Sequence, residues 1–72
     1  MENSGMMTVE YYDGAAQDRL IGAVYVPEAS ANACANLIGM AILKAVGGNC
    51  LTAHLLDVGG NVRDMLTVFK KR

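Results

Sequence analysis

The chain has 72 residues, of which 53% are hydrophobic and 18% are charged, and its net charge is −1 with a pI near 5.6. This length allows one domain with one core, and the charge argues against a general attraction to phosphate backbones or anionic membranes. A chain of this size buries only about 60% of the surface that its unfolded form exposes, so a lone monomer is marginal. Because charged residues usually make up about 25% of a soluble domain, the apolar excess favours a homo-oligomer, with a dimer as the first expectation.

Two strand patterns follow a short polar start. Residues 1–5 predict a flexible N-terminus, and residues 6–72 predict a single α+β domain. Residues 6–12 place Met7, Val9 and Tyr11 on one side of a strand, and Thr8, Glu10 and Tyr12 on the other. Residues 20–26 predict a second strand, in which Gly22 indicates a bulge or close packing. A loop of about seven residues joins the two strands into a hairpin.

One helix is predicted over residues 30–46, with Ser30 as its N-cap and Gly47-Gly48 as its stop. A helix with so few polar positions is expected to be covered on two sides, by the sheet and by a second copy. Its strongly polar residues are Asn32, Asn36 and Lys44. Small residues every four positions favour close approach at the contact with the second copy. The predicted oligomer interface is Ala31, Ala35, Gly39, Met40 and Leu43.

A second hairpin is predicted from residues 50–58 and 62–70, joined by a two-residue turn within Gly59-Gly60-Asn61. The turn places Asp57 across from Asp64, as a pair of solvated carboxylates. The predicted core face carries Leu51, Ala53, Leu55, Leu66 and Val68. The opposite face is amphipathic and is the predicted binding surface; it carries Thr52, His54, Leu56, Val58, Arg63, Met65, Thr67 and Phe69.

These elements predict an α+β fold: a small single-layer antiparallel sheet with one helix, in the order β-β-α-β-β, completed by homo-oligomerisation. The sequence contains one histidine, and Cys34 and Cys50 belong to no redox or zinc motif, so neither a metal site nor a cofactor is predicted. The strand tyrosines either bind a ligand or pack across the strands, and packing is preferred. The candidate binding residues are Tyr11, Tyr12, Tyr25, His54, Arg63, Met65 and Phe69.

The leading functional hypothesis is a non-enzymatic, homo-oligomeric protein that binds another protein or a small ligand. Small inhibitors or sequestering proteins of the kind carried by phages and mobile elements fit this size. The cytoplasm is the expected location, because no targeting segment is visible and the most apolar stretch, residues 37–46, is too short to span a membrane. One alternative is a nucleic-acid-binding regulator with a β-ribbon and the basic tail Lys70-Lys71-Arg72. A second is an enzyme using His54 or a cysteine at a subunit boundary.

Overall fold

A computed structural model of the chain describes residues 5–14 and 19–70. The strands form one antiparallel sheet in the spatial order β2-β1-β3-β4, and the helix lies on one face of it. The predicted α+β class and the order β-β-α-β-β are confirmed, whereas oligomerisation stays a prediction. Residues 1–4 of the predicted flexible terminus, and Lys71 and Arg72, lie outside the described residues. The elements are β1 (Met6–Asp13), β2 (Leu20–Pro27), a 3-10 turn (Glu28–Ser30), α1 (Ala31–Val46), β3 (Cys50–Leu56) and β4 (Val62–Phe69).

Strands β1 and β2 form the predicted first hairpin, and their alternation assigns the two faces of the sheet. Val9 and Tyr11 are fully buried beneath α1, while Thr8 and Glu10 belong to the opposite face. The register shifts between Tyr11 and Tyr12, so that one extra residue of β2 precedes Gly22. Gly22 therefore adjoins a bulge, one of the two roles predicted for it.

Strands β3 and β4 pair as predicted, but the two-residue turn is wrong. Residues 57–61 form a longer connection, because Asp57 closes it with its own polar groups. The Asp57 carboxylate accepts hydrogen bonds from the amides of Gly59, at 2.9 Å, and Asn61, at 3.0 Å. The Gly60 amide donates to the Asp57 carbonyl, and Gly60 has a φ of 83°. A side-chain-capped turn of this kind competes with the tight glycine turn.

Helix α1 begins after Ser30 and ends at Gly47, as the sequence predicts. Ser30 occupies the N-cap position without a side-chain capping bond, and its hydroxyl lies 3.6 Å from the Cys34 sulfur. Gly47 adopts a φ of 74°, and its amide donates to the Leu43 carbonyl. This left-handed position requires a residue without a Cβ to be free of strain.

The small residues of α1 face the chain's own sheet, so the predicted oligomer interface is wrong for Ala31, Ala35, Gly39 and Leu43. Ala31, Ala35, Gly39 and Leu43 form one buried stripe against the strands, and Met40 packs beside it. The Tyr11 hydroxyl donates a 2.7 Å hydrogen bond to the Ala35 carbonyl. The four-residue spacing allows the helix backbone to approach the sheet closely, which leaves none of the stripe exposed for a second copy.

Gly39 marks the closest approach, and we predict that Gly39→Ala lowers the free energy of unfolding by about 1 kcal/mol. A Cβ at this position would lie 2.8 Å and 3.0 Å from the methyl groups of Val68 and 3.2 Å from the Tyr11 ring. Both neighbours are fully buried, so the cost of overpacking, about 1–3 kcal/mol, exceeds the gain in helix propensity, about 1 kcal/mol or less.

Urea denaturation followed by circular dichroism measures this difference. Gly22→Ala is the matched control, because a Cβ at Gly22 meets no atom within 4 Å. The control is expected to be neutral or slightly stabilising. A stabilised Gly39→Ala variant would contradict the close helix–sheet contact.

Among the described residues, the 19-residue segment Glu28–Val46 has the length and composition of a membrane span, with a mean hydropathy of 1.3 in an 18-residue window. Length and composition alone are weak evidence, because core helices of globular proteins satisfy the same criteria. In this fold one stripe of the segment packs on the sheet, and 22% of it is buried.

Candidate functional site

The sheet face opposite α1, here called the open face, is not covered by any described element of the chain. Its side chains follow from the strand registers, because alternate residues of paired strands share one side of a sheet. Three rows cross the sheet from β2 to β4: Tyr25-Thr8-Leu56-Val62, Ala23-Glu10-His54-Met65 and Leu20-Tyr12-Thr52-Thr67, with Cys50 and Phe69 beyond the third row.

Large apolar side chains remain exposed on both margins of the open face. Tyr25 of β2 is 78% exposed, while Met65 and Phe69 of β4 are 59% and 67% exposed. On α1, by contrast, Leu37 and Val46 are the large apolar residues left exposed within the described chain. The exposed apolar side chains therefore lie mainly on the sheet. The sequence pattern had predicted them mainly on the helix.

Three polar side chains meet in the middle of the open face. The Tyr12 hydroxyl donates a 2.8 Å hydrogen bond to a Glu10 carboxylate oxygen, and this bond raises the pKa of the Tyr12 hydroxyl. The His54 ring lies against the Tyr12 ring, with centroids 4.7 Å apart. Nε2 of His54 is buried and has no hydrogen-bond partner among the described residues. An unpaired buried nitrogen costs free energy, so this cluster is polar but incompletely satisfied.

A groove of about 560 Å³ opens beside this cluster, at the end of the sheet near residues 57–61. Thr8 of β1 lies between Tyr25 on one side and Leu56 on the other, and Glu10 belongs to the next row, between Ala23 and His54. The groove thus combines a carboxylate, a hydroxyl and an aromatic ring with apolar walls. Its complete lining is Met6, Met7, Thr8, Glu10, Tyr25, Leu56, Asp57, Val58 and Gly60.

The two carboxylates predicted to face each other are held apart by different partners. Asp57 contacts Arg63, with 3.4 Å between Oδ2 and Nη1, because the register shift between Leu55 and Leu56 brings Arg63 toward the turn. Amides of the turn, above all that of Asn61, lower the Asp57 pKa. Asp64 accepts hydrogen bonds from Asn32 of α1, at 3.1 Å, and from the Met65 amide, and these bonds lower its pKa. The predicted carboxylate pair is therefore wrong.

The structure sorts the seven candidate binding residues into three groups. Tyr12, Tyr25, His54, Met65 and Phe69 share the open face, as their alternation indicated. Arg63 of β4 is the extra residue at the register shift and contacts Asp57, and its role in binding stays a prediction. Tyr11 is wrong as a binding residue, because its ring is fully buried between sheet and helix.

The residues of the enzymatic alternative do not converge in the described chain. Cys34 belongs to α1, on the helix side of the sheet, whereas His54 belongs to the open face. Cys50 shares the open face but lies four residues from His54 along β3, which corresponds to about 13 Å. Both cysteines are free, and no group of three His, Cys, Asp or Glu side chains capable of holding a metal occurs within residues 5–14 and 19–70.

Thr8 and Glu10 were not selected as candidate site residues from the sequence, whereas Leu56 was part of the predicted binding surface. The alternation of β1 already separated Thr8 and Glu10 from the core side. Their meeting with Leu56 and His54 depends on the pairing of β1 with β3. The helix separates these two strands in the sequence, so no turn motif predicts their pairing.

Comparison with protein-family models, with curated proteins and with solved structures finds no match to this chain. The geometry of the open face therefore carries the functional argument.

Proposed function

We propose that this chain is a non-enzymatic binding protein whose open face holds a basic side chain of a partner protein. The observation that carries the proposal is the groove, whose lining combines Glu10 with the apolar side chains of Tyr25 and Leu56. A lysine or arginine side chain has the matching form, an apolar stem that ends in a cation. We also propose that the protein acts in the cytoplasm as a homo-oligomer.

The charges around the groove favour a cationic ligand. Glu10 lies within the lining, and Asp57 lies at its rim with a lowered pKa, so its carboxylate is ionised at neutral pH. Arg63 already contacts Asp57, whereas the Glu10 carboxylate accepts a hydrogen bond from the uncharged Tyr12 hydroxyl, so the charge of Glu10 is the main attraction. The Tyr25 ring is largely exposed and offers a face to a bound cation, an interaction that contributes about 0.5–1 kcal/mol at exposed sites.

The same observations place the alternatives second. A nucleic-acid surface needs basic residues among its aromatics, but the groove between Tyr25 and the turn carries acids. The enzymatic alternative uses His54 or a cysteine at a subunit boundary, and within the described chain neither cysteine lies beside His54 to activate it. A free small amine stays open as a ligand, since it shares the chemistry of a lysine side chain.

The test is an NMR titration with short capped peptides. We expect acetyl-Leu-Arg-Leu-amide to shift the amide resonances of Thr8, Glu10 and Tyr25 at millimolar concentration, and acetyl-Leu-Glu-Leu-amide to shift none of them. Glu10→Gln should weaken binding of the basic peptide roughly tenfold, because it removes the charge but keeps the shape. A parallel titration with a simple amine such as n-butylamine tests whether the ligand is a free small amine.

Asp13→Asn is the matched control, because Asp13 lies at the other end of β1 and is not part of the groove lining. We expect this control to bind the basic peptide as the unaltered protein does. Equal shifts with both peptides, or unchanged binding by Glu10→Gln, would overturn the proposal.

A further inference from the structure

The backbone of β4 forms one edge of the sheet, and a single hydrogen bond identifies which of its groups point outward. The Lys70 amide donates to the Asn49 carbonyl, at 2.8 Å, so the backbone groups of Lys70 point toward β3. Backbone direction alternates along a strand, so Asp64, Leu66 and Val68, paired with β3, also point inward. The N–H and C=O groups of Met65, Thr67 and Phe69 therefore point away from the sheet.

We propose that β4 pairs with β4 of a second copy, antiparallel and centred on Thr67. Thr67 then lies opposite Thr67 of the second copy, and Met65 lies opposite Phe69 of the second copy. All of these residues have outward-pointing backbone groups, so each such pair can exchange two hydrogen bonds. This pairing gives a structure to the homo-oligomer of the proposed function. Its biological role rests on that proposed function.

Side-chain chemistry supports this register. Asp64 lies opposite Lys70 of the second copy, so two opposite-charge pairs form symmetrically at the ends of the interface. Met65 and Phe69, both largely exposed in the single chain, meet across the interface on the open face, and methionine packs favourably against aromatic rings. Leu66 lies opposite Val68 of the second copy on the helix side of the sheet.

One existing contact must be exchanged when the copies pair. In the single chain the Asp64 carboxylate accepts a 2.8 Å hydrogen bond from the Met65 amide, which points toward the free edge. On pairing, the Met65 amide donates to the Phe69 carbonyl of the second copy, and the carboxylate turns toward Lys70 of the second copy. Asp64 thus covers an edge amide in the monomer and contacts the partner in the dimer.

The other edge of the sheet is less suited to pairing. The Glu28 amide donates to the Gly5 carbonyl, so Pro27, Tyr25 and Ala23 point outward on β2. Proline lacks an N–H at one of these positions, and the register shift near Ile21 interrupts the strand at its other end. Bulges and prolines are devices that protect sheet edges from pairing, and the outer edge of β4 carries neither at Met65–Phe69.

A charge exchange tests the register. Asp64→Lys and Lys70→Asp each place like charges opposite one another, and each is expected to raise the dimer dissociation constant roughly tenfold or more at low salt. An equimolar mixture of the two variants should form a heterodimer, because both charge pairs are then opposite again. The double variant should recover the dimer of the unaltered chain. Light scattering and native mass spectrometry measure these states.

Hydrogen exchange provides a second readout that does not depend on the charged variants. Protection of the Thr67 and Phe69 amides should rise with protein concentration, whereas the Leu66 and Val68 amides, bonded to β3, should be protected throughout. Thr67→Pro removes the central outward N–H and should abolish the dimer, with Ala23→Pro on the opposite edge, outside the groove lining, as the matched control. If Asp64→Lys fails to fold, Lys70→Asp and Thr67→Pro still test the pairing.

The outcomes separate this inference from the proposed function. The edge pairing would be overturned if the protein stayed monomeric at all concentrations up to millimolar. It would also be overturned by a dimer whose dissociation constant does not change in the charge variants and in which the Thr67 amide is unprotected. Loss of peptide discrimination with an intact dimer would overturn the groove proposal alone. Edge pairing together with Glu10-dependent binding would support both.

Discussion

Leu43→Ala is expected to lower the free energy of unfolding by about 2–5 kcal/mol. Leu43 is 1% exposed and lies in the last turn of α1, where its side chain closes the core below the helix. Truncation removes apolar contacts and leaves a cavity that the neighbouring strands cannot fill. Because small domains are only marginally stable, such a loss is a large share of the total stability. Urea denaturation at several protein concentrations measures it.

Leu37→Ala is the matched control on the same helix. Leu37 is 64% exposed on the outer side of α1, so we expect a change below about 0.5 kcal/mol. A large, concentration-dependent loss in Leu37→Ala would mean that a second copy covers the outer helix surface. That result would restore an interface on the helix, although on residues other than the predicted small ones.

The second large effect is a loss of stability in alkali that depends on Tyr11. Burial, and to a smaller extent the charge of Cys34, raises the Tyr11 pKa from 10.0 to about 12. The unfolded chain then loses its phenolic proton before the folded chain does. The contribution to stability is therefore complete below pH 10 and disappears as the pH rises from 10 to 12. A shift of two pKa units corresponds to at most about 2.7 kcal/mol.

Comparison with Tyr11→Phe isolates this effect from other groups that titrate in alkali. The variant loses the hydrogen bond to Ala35, at a cost of about 1 kcal/mol at neutral pH, but its stability should fall less between pH 10 and 12. Tyr25→Phe, which alters an exposed phenol, should retain the steeper fall. Equal pH dependence in the unaltered protein and in Tyr11→Phe would contradict the buried, hydrogen-bonded position of the phenol.

The sequence predicted the elements well because local signals determine them. Alternation placed Val9 and Tyr11 opposite Thr8 and Glu10, and Gly47 ended the helix at the expected position. The second hairpin kept its predicted faces even though its turn was wrong, since both hairpin strands bury alternate apolar residues. The local pattern did not predict the form of the turn after Asp57. The Asp57 carboxylate accepts hydrogen bonds from amides of the turn, and this arrangement replaces the predicted two-residue turn.

The candidate site was harder to predict, because it depends on contacts between distant segments. Which side of α1 faces the sheet was ambiguous in a helix that is apolar nearly all round, and the small-residue stripe was assigned to a partner instead of to Val68 and Tyr11. The groove depends on the pairing of β1 with β3, which places Glu10 beside His54. No turn motif or residue spacing specifies the register of β1 with β3. Complementary packing of side chains in the assembled core specifies it.

The position of Pro27 limits how large an assembly built through sheet edges can become. In the proposed dimer a two-fold axis at Thr67 would use the β4 edge of both copies, and the remaining outer edges would each carry Pro27 in an outward position. A third copy would then meet an edge that lacks one of its donors. The proposed pairing would therefore favour a closed pair over a filament.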